Sequence, residues 1–116
     1  MAGVMTNDLG RITISDSVIE MIAGYAAIEN FGIVGMVTKT ASDGFWELLK
    51  KENLRKGVKV AVADEQVTVD LYVMVEYGVS INAVALNAIE NVTYRIHEFT
   101  NLTVMAVNVH VESVRV

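Results

Sequence analysis

The strongest constraint on the fold is a strict alternation of apolar and polar side chains from Val67 to Tyr77. Successive side chains of a β-strand point to opposite faces of the sheet, so a period of two residues predicts a strand. One face receives Val67, Val69, Leu71, Val73 and Val75. The other face receives Thr68, Asp70, Tyr72, Met74 and Glu76. The alternation therefore predicts a sheet with one buried face and one half-solvated face.

A helix and a second alternating strand follow. Gly78 permits a turn, Ser80 can cap a helix, and an apolar stripe at helical spacing continues to about Thr100. The stripe consists of Ile81, Val84, Ala85, Ala88, Ile89, Val92, Ile96 and Phe99. The last strand, Leu102 to about Val114, places on one side Val104, Ala106, Asn108, His110 and Glu112, opposite to Met105, Val107, Val109 and Val111. A helical crossover makes these two strands parallel if they are neighbours.

The first half of the chain predicts shorter elements. Residues Gly10 to Ile14 form a strand, and Ser15 caps a helix from Asp16 to about Glu29, with Ser17 and Glu20 as an alternative capping box. The apolar segment FGIVGMVT favours a strand.

Two further features lie between this segment and the long alternating strand. Ser42 can cap a short helix that ends near Gly57. A strand from Val58 to Ala63 then forms a hairpin with the alternating strand, because the connection is too short for any other pairing.

The predicted order β-α-β-α-β-β-α-β is typical of a two-layer α+β sandwich with a five-stranded mixed sheet and helices on one face. No proline or biased linker interrupts the chain, so we expect one domain over residues 1–116, with its core between residues 10 and 114. A chain of this length buries roughly 65% of its unfolded surface. Since 53% of its residues are hydrophobic, a core can form without metals or disulfides.

The charge balance bears on the class of partner. The 9 basic and 14 acidic residues give a net charge of -5, which argues against nonspecific nucleic-acid binding. One local cluster is basic and contains Lys50, Lys51, Arg55, Lys56 and Lys59. This cluster is a solvated helix end, where cations complement the helix dipole, or a contact for an acidic partner or anionic lipid. A third possibility is nucleic-acid binding through the same residues.

No targeting or membrane-spanning segment is evident. The longest apolar run, Met21 to Ile28, is far shorter than the roughly 18 residues that a spanning helix needs. The N-terminal sequence lacks the basic and apolar regions of a secretory signal, and the chain has no cysteine for disulfide or thiol chemistry. We therefore expect a cytoplasmic protein.

Candidate chemistry is confined to the half-solvated side of the two long strands. If these strands are neighbours, Asp70, His110 and Glu112 can converge as a ligand site with oxygen and nitrogen donors. The alternative is a polar outer sheet face. No serine-nucleophile, dinucleotide or phosphate-loop motif occurs, so we expect no catalytic residue, no metal and no cofactor.

The same side of the strands also carries apolar side chains. Tyr72, Met74, Val104 and Ala106 can contact another copy of the chain or a partner, because a sheet with helices on one side leaves its second face uncovered. The alternative is that they pack beneath loops or a helix of the same chain.

Several motifs in order resemble one known family. The segments are GRITISDSVIEMIAGYAAIENFGIVGM, ASDGFWELLKKENLRKGVKV, VDLYVMVEYGVSINAVALNAIENV and VNVHV. They resemble the alkaline-shock family of small envelope stress response proteins of Gram-positive bacteria, over nearly the whole chain. Tyr77, Gly78 and Val79 before Ile81 match the family pattern closely, as does the VNVHV segment. Ala83 stands where the family often has proline, and Asn101 replaces a frequent glycine.

The resemblance implies a non-enzymatic cytoplasmic protein that self-associates. It also implies that a separate membrane-anchored partner holds the protein near the membrane, where it acts in envelope homeostasis under stress. A homo-oligomer with no membrane span of its own is thus the expected state.

Overall fold

The computed structural model of the chain describes residues 3–39, 46–48 and 51–116. The strands are β1 (Gly3–Asn7), β2 (Gly10–Ile14), β3 (Ile33–Lys39), β4 (Trp46–Leu48), β5 (Val58–Ala63), β6 (Gln66–Glu76) and β7 (Thr103–Arg115). The helices are α1 (Asp16–Ile28), α2 (Ile81–Thr100) and a short 3₁₀ helix (Lys51–Gly57).

β6 is the central strand of a mixed five-stranded sheet. One edge of β6 pairs in parallel with β7 along its full length. The other edge is shared, because β5 pairs antiparallel with the first half of β6 and β3 pairs antiparallel with the second half. β4 pairs antiparallel with β3. The predicted α+β class and mixed sheet are confirmed, and so is the parallel pair that α2 connects.

The membership of the sheet differs from the prediction at the N-terminus. The strand predicted at Gly10–Ile14 is present as β2, but it pairs with β1 in a separate two-stranded hairpin. β1 was not predicted, and β4 is the fifth strand of the sheet instead of β2. The alternation of a five-residue strand does not identify its partner, which is why the sequence could not place β2. Met5 and Ile14 of this hairpin pack against the core.

Both helices pack on one face of the sheet, as predicted. α1 contributes Ile19, Ala23, Ala26 and Ala27 to a core that also contains the five apolar side chains of β6. α2 buries one residue per turn, at Val84, Ala88, Val92, Ile96 and Thr100. This spacing of four residues gives a narrower stripe than the predicted one. Phe99 and Ile81, which the stripe included, are 62% and 46% exposed.

The prediction of a short α-helix between Ser42 and Gly57 is wrong. Trp46–Leu48 is a strand, and Lys51–Gly57 forms one 3₁₀ helix. Leu54 of that 3₁₀ helix is buried, and one apolar residue in the sequence KENLRKG does not make the amphipathic stripe that an α-helix needs. The predicted cap Ser42 lies outside the described residues.

The turns and caps follow the local chemistry of the sequence. Ser80 is the N-cap of α2, and its hydroxyl accepts a hydrogen bond from the backbone N–H of Ala83 at 3.3 Å. Ser15 is the N-cap residue of α1, but its side chain makes no capping hydrogen bond. Asn101 ends α2 in the left-handed conformation with φ of 61°, which explains how it can replace glycine there. In the part of the chain that the structure describes, neither helix is long and apolar enough to cross a membrane.

Candidate interaction face

The face of the sheet opposite the helices is the candidate site, and we call it the helix-free face. It is defined by the polar-phase residues of β6 and their neighbours in β5 and β7, because register partners in a sheet point to the same side. Its members are Lys59, Ala61, Thr68, Asp70, Tyr72, Met74, Glu76, Ala106, Asn108, His110, Ser113 and Arg115. Most of these side chains are half-buried or exposed, whereas the apolar-phase residues of β6 are buried.

An aromatic pair lies at the centre of the helix-free face. Tyr72 of β6 is the register partner of His110 of β7. Their rings stack with centroids 4.6 Å apart and planes 11° from parallel. The Nζ atom of Lys59, on β5, lies 5.5 Å from the centroid of the Tyr72 ring, within the range of a cation–π contact. Three strands therefore contribute to one cluster.

Asp70 holds the polar side of this cluster. Its Oδ1 atom lies 3.0 Å from His110 Nε2 and accepts a hydrogen bond from Asn108 Nδ2 at 3.2 Å. The hydrogen bond from His110 is the main cause that lowers the pKa of the Asp70 carboxyl below its ordinary value of 3.8, and the Asn108 bond acts in the same direction, against partial desolvation. The structure thus brings together Asp70 and His110, two of the three residues that the sequence offered as a candidate ligand site.

Glu112 does not join them as a metal site. The register between β6 and β7 skips Glu112, because Val73 pairs with Val111 and Met74 pairs with Ser113. Among the described residues, which include Asp70, His110 and Glu112, no group of three or more acidic, histidine or cysteine side chains can hold a metal ion. What Asp70 and His110 provide is a hydrogen-bonded pair beside an aromatic surface.

The apolar part of the helix-free face lies toward β3 and β4. Met74 is half-buried and is the register partner of Gly35. A Cβ atom at Gly35 would lie 2.7 Å from Leu48 Cδ1, so this glycine makes room for Leu48 to lie over the sheet. Leu48 is 44% exposed, and its place on this face was not predicted because the sequence pattern favoured a helix there.

The predicted placement of Val104 on this face is wrong. The register between β6 and β7 also skips Met105, because Val67 pairs with Val104 and Thr68 pairs with Ala106. This irregularity reverses the phase of β7, so Val104 packs against the core. Tyr72, Met74 and Ala106 remain as candidate contact residues on the helix-free face.

The basic residues predicted as one patch do not share one surface where the structure describes their side chains. Arg55, in the 3₁₀ helix, lies beside α1, where it lines a groove with Val18 and Met21 and its charge acts on Glu20. Lys59 is on the opposite side of the sheet, over Tyr72. Lys56 is exposed at the end of the 3₁₀ helix. Lys50 lies outside the described residues, and nothing is described of the Lys51 side chain.

A second concave surface was not predicted from the sequence. It is a groove of about 580 Å³ beside the start of α2. Phe31 and Tyr77 at its rim are 83% and 72% exposed, and Gly78, with φ of 94°, turns the chain between them and α2. The motif Tyr77, Gly78 and Val79 that carries the family resemblance therefore lines a surface groove.

Comparisons with known proteins identify the family. The sequence profile of the alkaline-shock protein 23 family, which has a cell envelope-related function, matches residues 4–116. The protein YloU of Bacillus subtilis is 44% identical over 108 residues, which cover 92% of this chain and 90% of the relative. The protein Spy1614 of Streptococcus pyogenes is 43% identical over 108 residues, covering 92% of this chain and 89% of the relative.

A more distant relative carries a functional name. It is the stress response regulator gls24 homolog of Streptococcus pyogenes, which is 32% identical over 111 residues that cover 91% of this chain and 59% of the relative. No solved structure gives a significant match. The names and the family description specify no enzymatic activity. Because a single family profile matches nearly the whole chain, the resemblance found in the sequence is confirmed: the chain belongs to the alkaline-shock protein 23 family, whose function is related to the cell envelope.

Proposed function

We propose that the protein is a non-enzymatic interaction protein of the envelope stress response that self-associates in the cytoplasm. In this proposal a membrane-anchored partner holds it at the inner face of the cell membrane, and the helix-free face contacts that partner. The family's envelope-related function supports a role at the cell envelope, and the name of a relative supports a role in the stress response.

The observation that carries the proposal is the one-sided packing of the sheet. Both helices contribute to the core on one face of β6, where Leu71 and its apolar neighbours are fully buried. The other face presents Tyr72, Met74 and Ala106 beside a preformed polar cluster, without a described helix over them. Interfaces of proteins that bind partners combine aromatic and methionine side chains with a polar rim. The helix-free face has this composition.

The first experiment measures attachment to membranes. The purified chain is mixed with inside-out membrane vesicles of Bacillus subtilis, and with protein-free liposomes made from the same lipids. We expect the chain to sediment with the native vesicles only, and to lose this binding after the vesicles are treated with protease. Binding to the liposomes alone would contradict a protein partner, and binding to neither would contradict membrane recruitment.

Matched tyrosine variants assign the binding to a face. Tyr72→Ala removes an aromatic side chain from the helix-free face, whereas Tyr94→Ala removes one that is 61% exposed on α2. Loss of one central aromatic contact costs an interface about 2 kcal/mol or more, so Tyr72→Ala is expected to weaken vesicle binding roughly 30-fold. Tyr94→Ala is expected to bind like the parent chain. Equal effects of the two substitutions on vesicle binding would contradict the helix-free face as the contact surface.

A second candidate function is a small-ligand module that modulates a partner enzyme. The Asp70–His110 hydrogen bond beside the stacked Tyr72 ring favours it, because a flat ligand could stack there and hydrogen-bond to the carboxylate. Adenosine is a suitable probe in an NMR titration. Saturable shifts that His110→Ala abolishes and His97→Ala preserves would support the module, since His97 lies on α2. Absence of saturable shifts in the parent chain would argue for the interaction protein alone.

A further inference from the structure

We propose that two copies of the chain join through the outer edge of β7, which pairs antiparallel with the same edge of a second copy about a two-fold axis. This inference rests on the proposed self-association and specifies its surface. It separates two roles, because the β7 edge then joins copies while the helix-free face remains available to a membrane-anchored partner.

The hydrogen-bonding groups of β7 are the first basis for this inference. Among the described strands, β7 pairs with β6 alone, so one edge of this 13-residue strand has no described strand partner. Every second residue of such an edge directs its backbone N–H and C=O outward, which is a template for another strand. The other free edges of the described sheet are much shorter, since β4 has 3 residues and β5 has 6.

The distribution of charge distinguishes the β7 edge from the β5 edge. Natural sheets protect edges with lysine, with bulges or by keeping the strand short. β5 is short and carries Lys59, with Lys56 just before it. β7 has no lysine, and its two irregularities, at Met105 and Glu112, lie on either side of the regular run 106–111. This run contains no aspartate, glutamate, lysine or arginine, so its centre is unprotected.

The side chains of this run fit a second copy of the same run. Val109 and Val111 pack against the core but are only half-buried, while Asn108 and His110 lie on the helix-free face. When a strand pairs antiparallel with itself in a register that keeps its faces aligned, valines lie beside valines and polar residues beside polar residues. A pairing centred on Asn108 or Val109 meets this condition. It also keeps both irregularities outside the central pairs, and the interface is isologous and closed.

The pairing would extend the sheet across two copies. Their helix-free faces would then form one continuous surface, with the Tyr72–His110 clusters of both copies near the axis. A partner with two contact segments would bind such a surface more tightly than it binds one copy, because the second contact becomes intramolecular.

Matched lysine variants test the edge. Asn108→Lys places a cation within the run 106–111. The new lysine lies beside the oppositely charged Asp70, its register partner in β6. Asn82→Lys makes the same change at an exposed position of α2. Light scattering coupled to size exclusion is measured from micromolar to millimolar chain, with circular dichroism as the check that each variant is folded. We expect the parent chain and Asn82→Lys to approach twice the 12.7 kDa chain mass, and Asn108→Lys to dimerise at least tenfold more weakly.

Amide hydrogen exchange supplies a readout that locates the contact. In the parent chain, exchange of the amides in residues 106–111 should slow as the concentration rises, and in Asn108→Lys it should not change with concentration. A strictly monomeric parent chain would overturn both this inference and the proposed self-association. An assembly that Asn108→Lys leaves intact, or that protects other amides only, would overturn the β7 edge while self-association stands.

Discussion

Adjacent residues on β6 should separate folding from recognition when each is replaced by alanine. Leu71 is fully buried among the apolar side chains between sheet and helices. Tyr72, the next residue, lies on the helix-free face, where its ring contacts His110 and Lys59. The two substitutions remove large side chains from opposite faces of one strand. The two losses of unfolding free energy therefore measure how much the packing on each face contributes to stability.

The expected magnitudes follow from the contacts that are lost. Leu71→Ala leaves a cavity in a well-packed core and costs about 3–4 kcal/mol. Tyr72→Ala loses an aromatic stack worth about 1 kcal/mol and an exposed cation–π contact worth about 0.5 kcal/mol. With about 4 °C per kcal/mol for a domain of this size, Tm should fall by roughly 12–16 °C for Leu71→Ala and by roughly 6 °C for Tyr72→Ala.

The assay is urea and thermal unfolding followed by far-ultraviolet circular dichroism. Dilute protein is used so that dissociation of an assembly does not add to the unfolding free energy. Vesicle binding is measured on the same variants at a temperature where both are folded. If Tyr72→Ala costs 3 kcal/mol or more, as burial in a core would require, the Tyr72 ring is part of the core of a single copy. The reasoning that assigns the helix-free face to a partner would then be refuted.

Further substitutions at four residues test local features of the fold. Glu65 has φ of 63° in the two-residue turn between β5 and β6, so Glu65→Gly should raise the unfolding free energy by about 0.5–1 kcal/mol in urea titrations. Asn101→Ala should lower it by about 1 kcal/mol, whereas Asn101→Gly should not, because only alanine is strained at this left-handed position. The lowered pKa of Asp70 means that its ionised form stabilises the fold above pH 3.8, and that this contribution is lost as pH falls through the lower folded-state pKa. The difference in unfolding free energy between Asp70→Asn and the parent chain should therefore become smaller below about pH 4, as measured by unfolding curves. His110→Ala should raise the pKa of Asp70 in an NMR titration.

The sequence predicted the long elements well because their patterns repeat many times. β6 alternates over 11 residues, and α2 has 20 residues with a serine cap and an asparagine end. Each repeat adds to the same conclusion, so the element type and the buried face could be assigned without knowledge of the partners. The α2 crossover predicted that β6 and β7 are parallel if they are neighbours, and the structure shows that they are neighbours and parallel.

The features that the sequence did not predict depend on pairings between distant segments. Val104 lies on the core side because β7 carries an irregularity at Met105, and an uninterrupted alternation in the sequence contains no sign of it. Leu48 reaches the helix-free face because β4 pairs with β3, while its local sequence resembles a helix. The Asp70–His110 contact was predictable in part, since both residues share a phase. The stacking of the His110 ring on Tyr72 could not be predicted, because it depends on the register between β6 and β7.

The two proposed contact surfaces follow from the packing of β6 against the helices and from its pairing with β7. Its apolar phase alone completes the core with α1 and α2, so the opposite phase contributes little to that core. Its parallel partner β7 is joined through α2, which packs on the core side and leaves the outer edge of β7 without a described strand. Such a sheet leaves one face without a helix over Tyr72 and Ala106 among the described residues, and one edge without a described strand. The half-buried aromatic cluster occupies that face, and the uncharged run 106–111 occupies that edge. A partner on that face and a second copy at that edge would cover both features, which is why the two proposals place their contacts there.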